Sequence, residues 1–213
     1  MHVENKSALQ QLRHQLPLTD DQVRKIQTFV DLLESWNRRI NLVSKNDVLR
    51  IVSKHIKESL EIDRFSLLDG CKTALDLGSG AGFPGIPLAI THPEIQFTVL
   101  DSIRKKTLFL HETVETIGLT NVRVLCDRVE NQHPSSVRYD VVLSRAVAEL
   151  DVLWQWSRPL LKVGGRLVAV KGGDLHQEIA HLQNVDSVGV SIHSTEAENR
   201  LPADVKKIVV VFA

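Results

Sequence analysis

The sequence predicts an α/β fold, with a mostly parallel β-sheet, a helical extension before it and an antiparallel pair of strands at its end. From Thr73 onward, short apolar runs alternate with helical stretches, which is typical of a parallel sheet covered on both faces. The last two strand-like runs are joined by a segment too short for a crossover helix, so we expect them to pair antiparallel. Residues 1–70 have helical periodicity. We therefore expect one domain, with 71–213 as the α/β core and 1–70 as an N-terminal extension.

The overall composition restricts the class of protein. Lys plus Arg and Asp plus Glu both total 26, so the strongly basic composition of a dedicated nucleic-acid binder is missing. The two cysteines, Cys71 and Cys126, have no paired spacing, and no apolar run approaches the roughly 20 residues of a membrane-spanning helix. We expect a cytoplasmic protein with free thiols, no secretory leader and no membrane partner. Any contact with RNA must come from a local basic patch.

The first well-defined helix is predicted to begin at Thr19 or Asp20, either of which can cap it. Arg38 and Arg39 close it, where they either complement the helix dipole or contact RNA. Its apolar positions are three or four residues apart, as in a buried stripe, and they are Val23, Ile26, Val30, Leu33, Trp36 and Ile40.

A second helix is predicted to follow the polar turn at 41–47 and to continue through Leu60. At 100° per residue, Arg50, Lys54 and Lys57 lie together opposite an apolar stripe. Between residues 38 and 57 there are six Lys or Arg against one acid, Asp47, so we expect a phosphate-binding surface here.

His55 lies on the apolar side of this second helix, away from the basic face. Two interpretations are open for it. It is either a core histidine with its hydrogen bonds satisfied, or it faces the ligand cleft of the α/β core together with Asn41.

The segment from Thr73 to Pro87 predicts a strand, a tight turn and the start of a helix. Gly78, Gly80 and Gly82 alternate in the turn, where a ligand must approach the backbone closely. Gly80, Gly82 and Gly85 fit the dinucleotide fingerprint G-x-G-x-x-G. The same stretch, read from Asp76 through Gly82, also fits the acidic-x-G-x-G-x-G loop of S-adenosylmethionine (SAM) methyltransferases. Asp101, about twenty residues further on, is placed to receive the ribose hydroxyls of an adenosine ligand, which both cofactors carry.

The end of the chain favours the methyltransferase. Strands are predicted at 97–100, 122–126, 139–144 and 166–171. Helices are predicted at 104–117 and near 175–182, and a further helical stretch follows the strand at 139–144 and ends at Leu161. Two further strand-like runs, 185–193 and 206–212, are joined by a polar, helix-free loop. A parallel sheet ending in an antiparallel pair resembles class I SAM-dependent methyltransferases and is not the usual ending of a dehydrogenase domain.

Five motifs follow one another along the chain. They are Asn41-Leu-Val-Ser, Leu75-Asp-Leu-Gly-Ser-Gly-Ala-Gly-Phe-Pro-Gly-Ile-Pro87, Leu100-Asp-Ser-Ile-Arg-Lys-Lys106, Asp127-Arg-Val-Glu130 and Leu143-Ser-Arg-Ala-Val147. Together they resemble the RsmG family, also called GidB, whose members are bacterial enzymes that methylate guanine N7 in small-subunit (16S) ribosomal RNA. Two departures from the family pattern are Glu58, where Asp is usual, and Val129, where Ala is usual.

The resemblance implies a role for each matching residue and SAM as the cofactor. Arg145 is implied at the cleft between cofactor and target base, with His55 and Asn41 as further catalytic candidates. The implied partner is small-subunit ribosomal RNA or the 30S particle, bound by a monomer. The implied cofactor-binding residues are Gly78, Gly80, Gly82 and Phe83 at the methionine and adenosine end, Asp101 and Ser102 at the ribose, Val129 and Glu130 at the adenine, and Arg145.

The chemistry of this reaction requires few catalytic groups. Guanine N7 carries a free lone pair, so no general base is needed. The chain has neither the Pro-Cys pair used for cytosine C5 nor the Asn-Pro-Pro-Tyr stretch used for exocyclic amines. We expect no metal, because His176 and His181 are five residues apart, and helical side chains at that spacing point some 140° apart. Lys171, at the end of a strand, either touches phosphate or base or is only solvated.

Three functions remain open, with a dehydrogenase as a distant fourth. The first is an RNA guanine-N7 methyltransferase. The second is a small-molecule SAM methyltransferase, which the pI of about 7.1 and the aromatic content of 5% support. The third is a cofactor-binding RNA scaffold or assembly factor with little turnover.

Overall fold

A computed structural model describes residues 1–132, 137–194 and 206–213. Within these ranges the chain forms a seven-stranded sheet in the order β3-β2-β1-β4-β5-β7-β6. Strands β1 to β5 pair in parallel, and β7 pairs antiparallel with both β5 and β6. The predicted fold class is therefore confirmed. The strands are β1 (Thr73–Leu77), β2 (Gln96–Asp101), β3 (Val122–Cys126), β4 (Tyr139–Arg145), β5 (Leu161–Gly172), β6 (Gly189–Ser194) and β7 (Lys206–Phe212).

Helices precede the sheet and cover both of its faces. In the described ranges they are α1 (Val3–Gln15), α2 (Asp20–Asn37), α3 (Lys57–Leu60), α4 (Gly85–Thr91), α5 (Arg104–Ile117), α6 (Leu150–Ser157) and α7 (His176–Val185). The predicted bounds of α5 are confirmed, and Gly118 ends this helix at φ +71°, a backbone conformation that glycine adopts without a steric penalty.

The side chains of the central strands alternate between two hydrophobic clusters of the described residues. Ala74, Val141 and Val168 contribute to one cluster, together with α2, α4 and α5. Leu75, Val142 and Ala169, the next residue along each of these strands, contribute to the other cluster on the α6 and α7 side. Strands buried on both faces are typical of parallel sheets.

The N-terminal helices pack into the first of these clusters. Thr19 caps α2 through a capping box with Gln22, as the sequence predicts. An aromatic chain extends from α2 into the α/β core, with ring centroids 5.8 Å apart for Trp36 and Phe109 and 5.3 Å apart for Phe29 and Phe83. This shared packing favours a single domain, which remains a prediction.

The second helical segment differs from the α-helix that was predicted. It consists of a 3₁₀ turn (Val48–Arg50), a π-helix (Ile51–Ile56) and the short α3. The wider π turn changes the angle between successive side chains, so the 100° spacing does not hold here. Ile51, Val52, His55 and Ile56 are all buried.

The predictions for the end of the chain need two corrections. Residue Val185 ends α7 and does not begin a strand, because β6 starts only at Gly189. Strand β5 is longer than predicted and includes the glycine pair before Arg166. The polar loop between the last two strands lies largely outside the described residues. Among the described helices, none combines the length and apolarity needed to cross a membrane.

Candidate active site

The glycine turn lies between β1 and α4, at the carboxyl edge of the sheet. Gly78, Gly80 and Gly82 all have positive φ, at +71°, +60° and +90°. Asp76, the carboxylate in β1, is fully buried, and its Oδ2 accepts hydrogen bonds from the Ser79 hydroxyl at 2.6 Å and the Gly85 N–H at 2.9 Å. Burial raises the pKa of Asp76 to about 6. This carboxylate therefore holds the turn in place through two hydrogen bonds.

Asp101 ends the neighbouring strand β2 and also contacts the turn. Its Oδ2 accepts from the Gly80 N–H at 2.9 Å, and its Oδ1 accepts from the Ile103 N–H at 2.8 Å. Each carboxylate oxygen can accept a second hydrogen bond, so capacity for a ribose hydroxyl is left. The carboxylate is thus fixed in place by the backbone before any ligand binds.

A small pocket of about 220 Å³ opens beside Asp101, and we refer to it as the small pocket. It is lined by the ends of three strands and the segments after them. The sequence-predicted residues Gly78, Asp101, Ser102, Val129 and Glu130 all line it. The structure thus brings together the residues predicted to hold ribose and adenine.

A second cavity of about 610 Å³, the large cleft, adjoins the small pocket. Gly78 and Val147 line both cavities. The large cleft also contains Gly80, Phe83, Arg145 and His55 from the predicted set, whereas Gly82 is among the lining residues of neither cavity. A Cβ on Gly82 would lie 2.7 Å from Ile86 Cγ1, so this glycine allows α4 to pack closely behind the turn.

Arg145, the last residue of β4, is held in the wall of the large cleft. Its Nη1 donates to His55 Nδ1 at 2.9 Å and contacts Glu58 Oε2 at 3.4 Å. The guanidinium carbon also lies 4.8 Å from the centre of the Phe83 ring. Burial lowers the pKa of Arg145, yet a guanidinium keeps its proton at any pH near neutrality. The cleft therefore contains a fixed cation.

His55 is neutral because of these contacts. A guanidinium only donates hydrogen bonds, so Nδ1 must be the acceptor and Nε2 carries the proton. Burial, followed by the charge of Arg145, lowers the pKa of His55 to about 3. The ring stacks on Phe83 with a centroid distance of 5.1 Å, and Nε2 lies 3.8 Å from Asp47 Oδ2. His55 thus positions Arg145 and is not poised as an acid.

Two sequence-based expectations differ from the geometry. Asn41 is exposed and does not line the large cleft, although Leu42 and Val43 of the same turn do. Its expected inward orientation is therefore wrong. The basic face is divided, because Lys54 lines the large cleft and pairs with Asp47 at 2.8 Å, whereas Lys57 lines a different cavity beside α1.

Lys171 lines the large cleft but is already paired. Its Nζ lies 2.5 Å from Glu178 Oε1 and donates to the Ala148 carbonyl at 2.8 Å. Glu178 also accepts from the Leu150 N–H at 2.7 Å. These contacts connect β5, α6 and α7, which favours a structural role for Lys171. In the described part of the chain, no group of three or more His, Cys, Asp or Glu is arranged to hold a metal ion.

Sequence reasoning missed Glu58, Val147 and Trp156. Glu58 is buried against Arg145, Val147 separates the two cavities, and Trp156 lines the small pocket from α6. The contact between Glu58 and Arg145 could not be predicted from a local pattern, because the two residues are 87 positions apart in the chain. The one available signal for Val147 was its position two residues after Arg145 in the predicted motif.

The fold and its two adjoining cavities define a class I SAM-dependent methyltransferase. Similar solved structures include a precorrin-6y C5,15-methyltransferase from Geobacter metallireducens, with TM-score 0.56 and 14% identity over 81% of this chain and 91% of that one. Another is coclaurine N-methyltransferase bound to N-methylheliamine and SAH, with TM-score 0.54 and 15% identity over 90% and 73% of the two chains. At these identities the likeness concerns the fold alone.

The sequence comparisons are more specific. Residues 22–200 match the model of the GidB family, described as rRNA small subunit methyltransferase G. A relative from Chlorobaculum tepidum, "Ribosomal RNA small subunit methyltransferase G", is 42% identical over 168 residues, or 79% of this chain and 76% of the relative. The protein of the same name from Neisseria meningitidis serogroup B is 42% identical over 167 residues, or 78% and 79% of the two chains. The chain belongs to the GidB family, as its motifs predicted.

Proposed function

We propose that the protein transfers the methyl group of SAM to N7 of a guanine in small-subunit ribosomal RNA. Membership of the GidB family and the names of its relatives support the ribosomal RNA substrate. The observation that carries the proposal is the position of Arg145, a buried cation in the wall of the large cleft, which adjoins the pocket around Asp101. A cationic donor beside a nucleoside pocket suits a base rich in acceptors.

The residues around the small pocket fit SAM. Asp101 has acceptor capacity for the ribose, and Val129 and Glu130 would contact the adenine. Gly78 lies where both cavities meet, and a Cβ there would be only 2.6 Å from Val147 Cγ2. These residues, with Ser102, Gly80 and Phe83, are our proposed cofactor site. When bound, SAM supplies an electrophilic methyl group on its sulfonium sulfur.

The large cleft is suited to guanine as the methyl acceptor. On its major-groove edge guanine presents two acceptors, O6 and N7. The guanidinium of Arg145 offers several donors in a rigid fork, which suits O6 and leaves the N7 lone pair free to take the methyl group. Both described hydrogen bonds of this side chain come from Nη1. We propose that the remaining N–H groups orient the guanine, with His55 and Glu58 holding the guanidinium in position. Asn41, being exposed, is left outside this arrangement.

No proton transfer is required of these residues. N7 attacks through a lone pair that is already free, and His55 is neutral with Nδ1 occupied by Arg145. The protein's contribution is to align the two reactants and exclude water. Alignment of this kind lowers a barrier by roughly 7 to 11 kcal/mol in well-oriented systems.

The test is to incubate the protein with labelled SAM and one of three substrates. These are protein-free small-subunit ribosomal RNA, intact small subunits and a metabolite extract. Nuclease digestion and mass spectrometry then locate the label. We expect 7-methylguanosine in RNA from at least one of the first two mixtures. Label found in a metabolite alone would refute the proposal, and so would SAM binding without any transfer. A ribosomal RNA substrate also implies a cytoplasmic location, and a metal-free monomer remains our prediction.

A further inference from the structure

The ends of α2 and α5 that face the large cleft carry a concentration of positive charge. Residues 36–46 contain Arg38, Arg39 and Lys45 and no acid, and residues 102–111 contain Arg104, Lys105 and Lys106 and no acid. The whole chain has a formal net charge of zero, so this distribution is uneven. We refer to Arg38, Arg39, Lys45, Arg104 and Lys105 as the α2–α5 rim.

Contacts in the core place these two segments side by side at the cleft. Trp36 in α2 contacts Phe109 in α5. After α2, the Asn37 side chain accepts from the Leu42 and Val43 N–H groups, and these two residues line the large cleft. At the start of α5, Lys106 lines the same cleft. The α2–α5 rim therefore borders the opening through which a substrate must enter.

The charges of the α2–α5 rim are not neutralised by the described residues. All five side chains are exposed, and none of them makes a hydrogen bond or an ion pair to the described part of the chain. Lys106, by contrast, lies 3.8 Å from Asp101 and is half-buried. Ile103 and Leu108, which lie on either side of the basic run 104–106 along the chain, expose about half of their surface, at 48% and 49%. Exposed apolar surface among unpaired cations is more typical of an interface than of a solvated helix face.

The margin near Glu149 and Glu130 is mixed in charge. Glu149 lines the large cleft together with Lys171 and Lys206, and Glu130 lines the small pocket together with Arg128. The two segments of the α2–α5 rim contain no acid, so a polyanion is attracted more strongly to that side.

We infer that the α2–α5 rim binds the phosphodiester backbone of the RNA substrate and delivers the target nucleotide to the large cleft. The inference rests on the proposed function and adds the surface that holds the RNA. It keeps Arg38, Arg39 and Lys45 from the basic region predicted at 38–57. It leaves out Arg50, Lys54 and Lys57, because Lys54 pairs with Asp47 in the large cleft and Lys57 lines a different cavity. Unpaired Lys and Arg at such a surface release counterions when they meet phosphates, so their contribution depends on salt.

The test compares three double variants that each remove two positive charges. Arg38→Gln with Arg39→Gln and Arg104→Gln with Lys105→Gln alter the α2–α5 rim. Lys72→Gln with Arg123→Gln is the matched control. These two residues are exposed and lie just before β1 and near the start of β3, at the amino ends of those strands. Affinity for protein-free small-subunit ribosomal RNA is measured from about 50 to 200 mM salt, together with SAM affinity by calorimetry.

We expect each rim variant to bind RNA about tenfold more weakly at 0.1 M salt, with the slope of log affinity against log salt reduced by roughly 1.4 to 1.8. SAM affinity should not change in any variant. RNA affinity and slope equal to those of the control would refute the inference. A loss seen with intact small subunits but not with protein-free RNA would also refute it, because the surface would then bind ribosomal protein. Methyl transfer by the unaltered protein tests the proposed function separately.

Discussion

The buried pair of His55 and Arg145 makes stability depend on pH in a way that one substitution should remove. His55→Asn keeps an acceptor near the position of Nδ1, because the Asn side-chain oxygen matches that ring nitrogen. The variant therefore retains a hydrogen bond to Arg145 but has no group that titrates. Loss of the ring on Phe83 adds a cost in stability that does not vary with pH.

The expected magnitude follows from the pKa of His55. This pKa is about 3 in the folded protein and about 6.5 for a histidine in an unfolded chain, so the folded state resists protonation. The contribution of His55 to stability is complete above pH 6.5 and is lost as the pH falls toward 3. At pH 5 His55 is protonated in the unfolded state and neutral in the folded state. Because pH 5 lies about 1.5 units below the pKa in the unfolded state, the folded state is destabilised by roughly 2 kcal/mol.

Two other groups, His92 and Asp76, change the pH dependence of stability in the opposite direction. Hydrogen bonding to Asp63 raises the pKa of His92 to about 9, and burial raises that of Asp76 to about 6, so both contribute more stability at low pH. Both groups are present in the wild type and in the variant, so their contributions cancel in the difference between the two unfolding free energies. This difference is therefore the quantity to measure.

The assay is urea unfolding followed by tryptophan fluorescence between pH 5 and 8. From pH 8 to pH 5 we expect the wild type to lose roughly 2 kcal/mol of unfolding free energy relative to His55→Asn. His111→Asn, at an exposed position of α5, controls for the loss of a histidine. Curves for wild type and His55→Asn that stay parallel over this range would show that His55 is not held neutral by Arg145.

Three further predictions concern the proposed site. Asp101→Asn should lower SAM affinity about tenfold in calorimetry and leave RNA affinity unchanged, because the amide loses a charged acceptor for the ribose. Gly78→Ala should also weaken SAM binding, because the added Cβ would meet Val147. Gly118→Ala is its control, since Gly118 has the same φ of +71° but open space around it, and this variant should lose only about 1 to 2 kcal/mol of stability. Arg145→Lys should reduce methyl transfer about 100-fold with SAM affinity unchanged, because a lysine ammonium does not reproduce the rigid, planar set of donors that orients the guanine. Transfer at the wild-type rate would remove Arg145 from the mechanism.

Local patterns in the sequence were sufficient for most of the fold. The glycine turn, the carboxylate of Asp101 and the bounds of α5 each depend on residues near one another in the chain, and the structure agrees with them. The antiparallel ending followed from the length of one connection. The family and its cofactor followed from motifs that also lie along single segments.

The features that sequence missed depend on contacts between distant residues. The segment containing His55 was predicted as α-helical and its basic residues were assigned to one face. The π-helix there does not follow the 100° spacing on which that assignment depends. Lys171 meets Glu178 only because α7 packs beside β5, which no spacing in the sequence shows. Asn41 was expected to face inward from its motif alone, and the turn instead presents Leu42 and Val43 to the large cleft.

The aromatic contacts between α2 and the glycine turn have a consequence for how the protein diverges among relatives. Phe83 touches Phe29 from the appended helices and His55 from the π-helix, so one wall of the large cleft comes from outside the Rossmann-like sheet. The pocket around Asp101 is formed mainly by segments that follow the strands. On our proposal for the large cleft, substitutions before Thr73 therefore alter the wall that faces the methyl acceptor more than they alter the pocket around Asp101.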